Sequence, residues 1–191
     1  MKTTSIMIVG VGGQGTLLAS KLLGNVLIAQ GYDVKLSEVH GMSQRGGSVV
    51  TYVRYGDRVY SPIVDQGEAD CILSFEILES ARWISYLKQG GRLVTNTQKT
   101  WPMPVITGAA QYPEGIVEKL SAMANVTAVD ALKLATEAGS AKAVNVVLIG
   151  VLSRQMDIPE EVWQKAIDET VPAKFLELNK KAFALGRAAA E

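Results

Sequence analysis

"SIMIVGVGGQGTLLASKLLGNVLIAQGYDVKLSE", residues 5–38, is the stretch whose reading decides the fold. Residues 5–9 form a short apolar, β-branched run that stops at glycine, the pattern of a buried strand. From Gln14 to Gln30 the residues suit a helix, with Leu17, Leu18, Leu22, Leu23, Val26 and Leu27 around most of its circumference and Gly31 as its C-cap. In residues 33–38, Val34 and Leu36 alternate with polar neighbours, the period of a second strand. Strand, helix, strand predicts a parallel sheet with a right-handed crossover.

Between the first strand and the helix lies "GVGGQG", residues 10–15, which matches G-x-G-x-x-G through Gly10, Gly12 and Gly15. Such glycines permit a tight turn, let a ligand approach the backbone where a Cβ would stand, and let the helix pack close to the strand. The free N–H groups of a first helical turn then favour a phosphate. Gly13 adds conformational freedom, and Gln14 brings an amide within reach of a ligand. The same residues would also suit a tight strand-to-helix turn that binds nothing. A dinucleotide site needs an acid at the end of the second strand to hold ribose hydroxyls, and Glu38 stands there.

Glu38 also opens "SEVHGMSQRGGSVV", residues 37–50, which holds the only histidine of the chain. His40 is a candidate proton carrier near neutral pH. Arg45 is a fixed cation with a planar fork for carboxylate or phosphate. Met42, Ser43, Gln44 and Gly46 complete a segment rich in polar and flexible positions. In an open α/β sheet it sits at the C-terminal edge, beside the glycine loop, where ligands bind. An ordinary surface connection is the plain alternative.

Further along, "GSVVTYVRY" (47–55) and "RVYSPIV" (58–64) flank Gly56-Asp57, which predicts a β-hairpin where a doubly wound fold would place a helix. Residues 70–75 read as a strand, 76–89 as a helix broken by Gly90-Gly91, 92–96 as a strand, and 125–131 as a strand running into a helix. The last third is helical. Residues 142–156 are apolar all round and therefore buried, Pro159-Glu160-Glu161 opens another helix, and Phe175, Leu178, Ala182 and Leu185 make an amphipathic stripe. That stripe suits either this core or a partner. The expected fold class is α/β: Rossmann-like, a mainly parallel sheet with an inserted β-hairpin and a helical C-terminal third from about 142 to 191. One domain accounts for the 191 residues.

Composition excludes several functions. Lys+Arg and Asp+Glu both number 19, so no basic surplus points to nucleic acid or an acidic membrane. The single cysteine, Cys71, lies in the apolar run "ADCILSF", where a buried thiol is expected. One cysteine and one histidine build neither an iron–sulfur cluster nor a zinc site, so no metal ligand is assigned. The N-terminus lacks a signal-peptide pattern and no apolar run reaches membrane length, which sets the expectation of a cytoplasmic protein.

Taken together, "GVGGQGTLLASKLL" and "SEVHGMSQRGGSVV" resemble the gamma-type subunit or domain of the 2-oxoacid:ferredoxin oxidoreductases, and within that family its indolepyruvate branch. "KAVNVVLIGVLS" and "LNKKAFALGRAA" extend the resemblance over the whole chain. It implies an accessory subunit, inactive alone, of an enzyme that converts a 2-oxoacid, here an aryl pyruvate, to acyl-CoA and CO2 while reducing ferredoxin. It further implies that thiamine diphosphate, Mg2+ and 4Fe-4S clusters lie on a large alpha subunit. This chain has no G-D-G…N stretch and no cysteine set for them. In related multidomain enzymes the equivalent domain is associated with coenzyme A or closes over the active site. The cofactor-facing residues would then be Gly10, Gly12, Gly13, Gln14, Gly15, Glu38, Met42, Ser43, Gln44, Arg45 and Gly46. Two other readings stay open: a stand-alone NAD(P) oxidoreductase and a non-catalytic assembly module. The isolated chain could also pair with itself as a homodimer.

Overall fold

The computed structural model describes residues 3–40 and 46–190. Its centre is a six-stranded sheet with the order β2-β3-β1-β4-β5-β6. The strands are β1 (Thr4–Val11), β2 (Asp33–His40), β3 (Ser48–Gly56), β4 (Ala69–Ser74), β5 (Leu87–Asn96) and β6 (Asn125–Val129). β1, β4, β5 and β6 pair in parallel, whereas β3 runs antiparallel between β1 and β2. The α/β class with a mainly parallel sheet is therefore correct, and β1 and β2 do run in the same direction. They are not neighbours, because β3 occupies the place between them.

The inserted hairpin consists of different strands from those expected. It is β2 with β3, in register from Asp33↔Gly56 to His40↔Val49. Residues 58–64 form no strand. Both sides of β3 are already taken by β1 and β2. Side chains hold the 58–64 segment in place of a ladder: Arg54 Nη1 donates to Ser61 O at 3.2 Å and Ile63 O at 2.9 Å, and Asp33 Oδ2 accepts from Val59 N at 2.8 Å. Pro62, which has no N–H to give a sheet, argues against a strand here.

The helices are α1 (Thr16–Ala29), α2 (Ile77–Trp83), α3 (Met103–Ile106), α4 (Ile116–Ser121), α5 (Ala131–Ala138), α6 (Val144–Ser153), α7 (Glu160–Thr170) and α8 (Leu176–Ala188). The expected helix over 76–89 ends early. A 3-10 turn follows at Ile84–Tyr86, and β5 starts at Leu87 because Leu87 pairs with Ala69 before a register shift. One face of the sheet carries Ile6, Ile8, Leu73 and Val94 against α1, α5, α6, α7 and α8. The other carries Met7, Val9, Ile72 and Leu93 against α2 and α4.

All of α6 is buried, which explains its lack of a polar face. α8 crosses it closely. A Cβ on Gly150 would overlap the Phe183 carbonyl, and one on Gly186 would overlap the Val147 carbonyl. Asn179, Ala182, Phe183 and Gly186 form the buried side of α8, so its apolar stripe docks on this chain's own core. Phe175, expected in that stripe, is 46% exposed instead. No helix among the described residues is long and apolar enough to cross a membrane.

Candidate functional site

β1 and β4 lie side by side in parallel, Val9 opposite Ser74. After β1 the chain passes to the α1 face, and after β4 to the α2 face. This divergence is a topological switch point, the place where open α/β sheets bind ligands. The glycine loop stands on it. Gln14 N donates to Val11 O at 3.2 Å, closing the turn. Gly15 takes the N-cap of α1 at φ 88°, so the helix starts at Thr16 and leaves Gln14 in the loop. Gly10 has no room for a Cβ, which would sit 2.8 Å from Gln14 Oε1 and 2.9 Å from Phe75 Cβ.

Gly12 N donates to Gly47 O at 2.8 Å, and Gly46 N to Gly12 O at 3.4 Å. The far leg of the histidine–arginine loop is thereby stitched to the glycine loop. The two segments singled out in the sequence do meet. Gly41, Met42, Ser43, Gln44 and Arg45 lie outside the described residues.

Two clefts flank the glycine loop. One, of about 470 Å³, is lined by Gly13, Gln14, Gly15, Gln98, Leu132 and Lys142, among others. The other, of about 370 Å³, lies on the hairpin side and includes Gly12, Gly13, Gly15, Leu17, Glu38 and His40. Gly13 and Gly15 border both. His40 and Glu38 are exposed at this second cleft, and Glu38 Oε2 accepts from Thr51 Oγ1 at 3.3 Å. Gln14 is engaged inside the loop, with Oε1 accepting from Val11 N at 2.7 Å and Nε2 donating to Phe75 O at 3.4 Å.

The strand order bears on the dinucleotide reading. Glu38 is on β2, two strand positions from β1. That is about 10 Å at ordinary strand spacing. A ribose-binding acid works from the strand next to the glycine loop, and here that strand is β3.

Several residues of this edge escaped the sequence reading. Glu76 is 1% exposed and caps α2. Its Oε2 accepts from Glu79 N at 2.9 Å, and its Oε1 from Thr100 N at 2.9 Å and Tyr112 Oη at 2.7 Å. Burial, and then the hydrogen bond to Glu76, push the Tyr112 hydroxyl well above the usual phenol range. Glu79, also buried, accepts from Ser48 Oγ at the start of β3 and from Trp83 Nε1 at 3.3 Å, and it pairs with Arg82 Nε at 3.0 Å. Lys142, Gln98 and Leu132 reach the larger cleft from segments far apart in sequence. The legible signal was positional: Glu76 and Asn96 both stand at the C-terminal ends of parallel strands, like the glycine loop.

Cys71 does not suit metal or thiolate chemistry. It is buried, and desolvation pushes its thiol up to about 12, so the thiolate a metal requires is disfavoured. Among the described residues no three His, Cys, Asp or Glu side chains are grouped to hold a metal ion. Cys71 and the described residues around it therefore do not fit an iron–sulfur cluster.

Comparison with known proteins agrees with this architecture. The chain is 48% identical to indolepyruvate oxidoreductase subunit IorB of Thermococcus kodakarensis, over 100% of this chain and 98% of that protein. It is likewise 48% identical to indolepyruvate oxidoreductase subunit IorB of Pyrococcus horikoshii, with the same coverage. Among solved structures, the gamma subunit of keto/oxoacid ferredoxin oxidoreductase from Geobacter sulfurreducens superposes with a TM-score of 0.73 at 25% identity, over 98% of both chains. The model of the pyruvate ferredoxin/flavodoxin oxidoreductase family matches residues 5–189. The chain belongs to the pyruvate ferredoxin/flavodoxin oxidoreductase family.

Proposed function

We propose that this chain, as one gamma-type domain over residues 1–191, is the small subunit of an indolepyruvate-type 2-oxoacid:ferredoxin oxidoreductase working in the cytoplasm. The observation that carries this reading is the end-to-end match, at 48% identity, to proteins named as subunits of indolepyruvate oxidoreductase. The overall reaction converts an aryl pyruvate and coenzyme A to an aryl-acetyl-CoA and CO2, with two electrons passed to ferredoxin. Thiamine diphosphate with Mg2+ and the 4Fe-4S clusters belong on a larger partner chain and supply decarboxylation and electron removal there.

The part of this chain is to complete the coenzyme A side. The glycine loop borders two clefts at the switch point, and Gly12 is bonded to the leg of the histidine–arginine loop. Gly10, Gly12, Gly13, Gln14, Gly15 and Glu38, with Met42, Ser43, Gln44, Arg45 and Gly46, would form this wall. The Gly12 and Gln14 N–H groups donate to Gly47 O and Val11 O, so the backbone of Gly13 and Gly15, with no side chains in front of it, is the part suited to phosphate oxygens. A planar guanidinium suits the same oxygens by paired, charge-assisted bonds. A wall of this kind orients the thiol carrier and keeps water from the acyl group before transfer. His40, exposed at the second cleft, stays a weaker candidate for moving a proton there.

The test is Arg45→Ala in the reconstituted complex. Loss of a charge-assisted contact should raise KM for coenzyme A about tenfold or more. Size-exclusion elution of the complex should not change. Unaltered kinetics with an intact complex would remove the wall assignment. Loss of assembly with normal kinetics in the remaining complex would favour a module used only for assembly.

A further inference from the structure

We infer that Asn96 is a positioning residue for this site, setting the shape of the larger cleft from beneath without touching what binds there. Asn96 ends β5 and is 0% exposed. Its Nδ2 donates to Phe75 O at 3.1 Å and to Gln98 Oε1 at 3.3 Å. Its Oδ1 accepts from Ala131 N at 3.1 Å and Gln98 N at 3.4 Å. A primary amide offers two donor hydrogens and an oxygen with two lone pairs, so every position is taken.

Each partner leads to a wall of the cleft. Phe75 O also accepts from Gln14 Nε2, and Gln14 Oε1 accepts from Val11 N. An unbroken line of hydrogen bonds thus runs from the end of β1 through Gln14 and Phe75 to Asn96. It continues from Asn96 to Ala131 N, the first residue of α5, which carries Leu132 into the cleft. Gln98, held at both its backbone N–H and its side chain, lines the cleft itself. Three walls from three separate strand ends are therefore referenced to one side chain. The bonds of Asn96 to Phe75 O and Ala131 N are buried, and those through Gln98 and Gln14 are part-buried. Directional bonds of this kind hold relative positions more tightly than apolar contact does.

The chemistry also explains why asparagine is required. Aspartate has the same shape, but it would turn both donors into acceptors facing the oxygens of Phe75 and Gln98. Alanine would leave the Ala131 N–H buried without its acceptor.

The inference rests on the coenzyme A reading above, and the test separates the two. Asn96→Asp is assayed in the reconstituted complex by varying coenzyme A and the 2-oxoacid independently. The expected result is a rise of about tenfold in KM for coenzyme A with KM for the 2-oxoacid unchanged. A purely structural role would lower thermal stability and leave both constants alone, and that result overturns the inference. Equal shifts in both constants also overturn it. If Asn96→Asp does not fold, Asn96→Ser decides. Its hydroxyl can serve Phe75 O or Ala131 N but not all four partners, so a rise of about threefold is expected, and no rise overturns the inference. Arg45→Ala, run in parallel, tests the reading itself. If it leaves coenzyme A kinetics unchanged, the wall assignment fails. If it shifts them and neither Asn96 variant does, only the positioning inference fails.

Discussion

Both faces of the sheet carry a buried apolar cluster, but the larger lies on the α1 side and a dense buried polar cluster lies beside the smaller one. On the α1 side, α6 and α8 meet backbone to backbone at Gly150 and Gly186, and Trp163 stacks on Phe183 with ring centroids 6.1 Å apart. On the α2 side the helices are short, and the sheet edge there carries buried Glu76, Glu79, Ser80 and Thr95 in one hydrogen-bonded cluster. Apolar area supplies most of the free energy of folding and has no preferred direction. Buried polar groups add little net stability but tolerate few geometries. The first face, with the larger apolar cluster, therefore contributes more of the stability, and the polar cluster beside the second restricts where its loops stand. The glycine loop and its clefts lie where the two meet.

That contrast can be broken experimentally, beginning with the largest effect. Removing the chain after Pro172 takes away α8 and strips one side of α6. The expected outcome is loss of the folded state, read as loss of the cooperative thermal transition by circular dichroism. A truncated chain that still melts cooperatively would mean that α8 is not part of the load-carrying core. Next, Gly150→Ala pushes a methyl into the Phe183 carbonyl, and the backbone can give way only by moving α8. A loss of about 3 kcal/mol is expected in chemical denaturation. The smallest effect belongs to the other face. Tyr112→Phe removes one of the two donors to Glu76 Oε1 while Thr100 N remains. About 1 kcal/mol of stability should be lost. Amide exchange should quicken selectively in residues 97–112, the segment that Glu76 ties down at both ends. If Tyr112→Phe cost as much as Gly150→Ala, the division of labour between the faces would be wrong.

The fold was largely legible where periodicity and glycine agree. The strand at 5–9, the helix ending just before Gly31 (its C-cap is Gln30, and Gly31 follows at φ 83°), and the all-apolar α6 each follow from patterns within one element. The hairpin was misplaced because "GSVVTYVRY" is apolar enough to pair on either side, and local sequence does not say which neighbour arrives first. In the folded chain β1 and β2 take both sides, so Gly56-Asp57 opens a connector. The stripe on α8 was legible as a stripe. Whether it met this core or another chain depended on Gly150 and Gly186, which carry no hydrophobic signal.

By itself the sequence determined that this chain is an α/β protein with a glycine loop at a strand end and a single cysteine in an apolar run. Those conclusions need only short-range patterns and residue counts. Only the tertiary structure decided that β3 separates Glu38 from β1, and that Gln98, Leu132 and Lys142 share a cleft with Gly13. It also decided that Asn96 joins the strand ends beneath that cleft. The reason is physical. Hydrogen-bond partners distant in sequence leave no periodic trace, and an asparagine at a strand end becomes a junction only when three other segments fold around it.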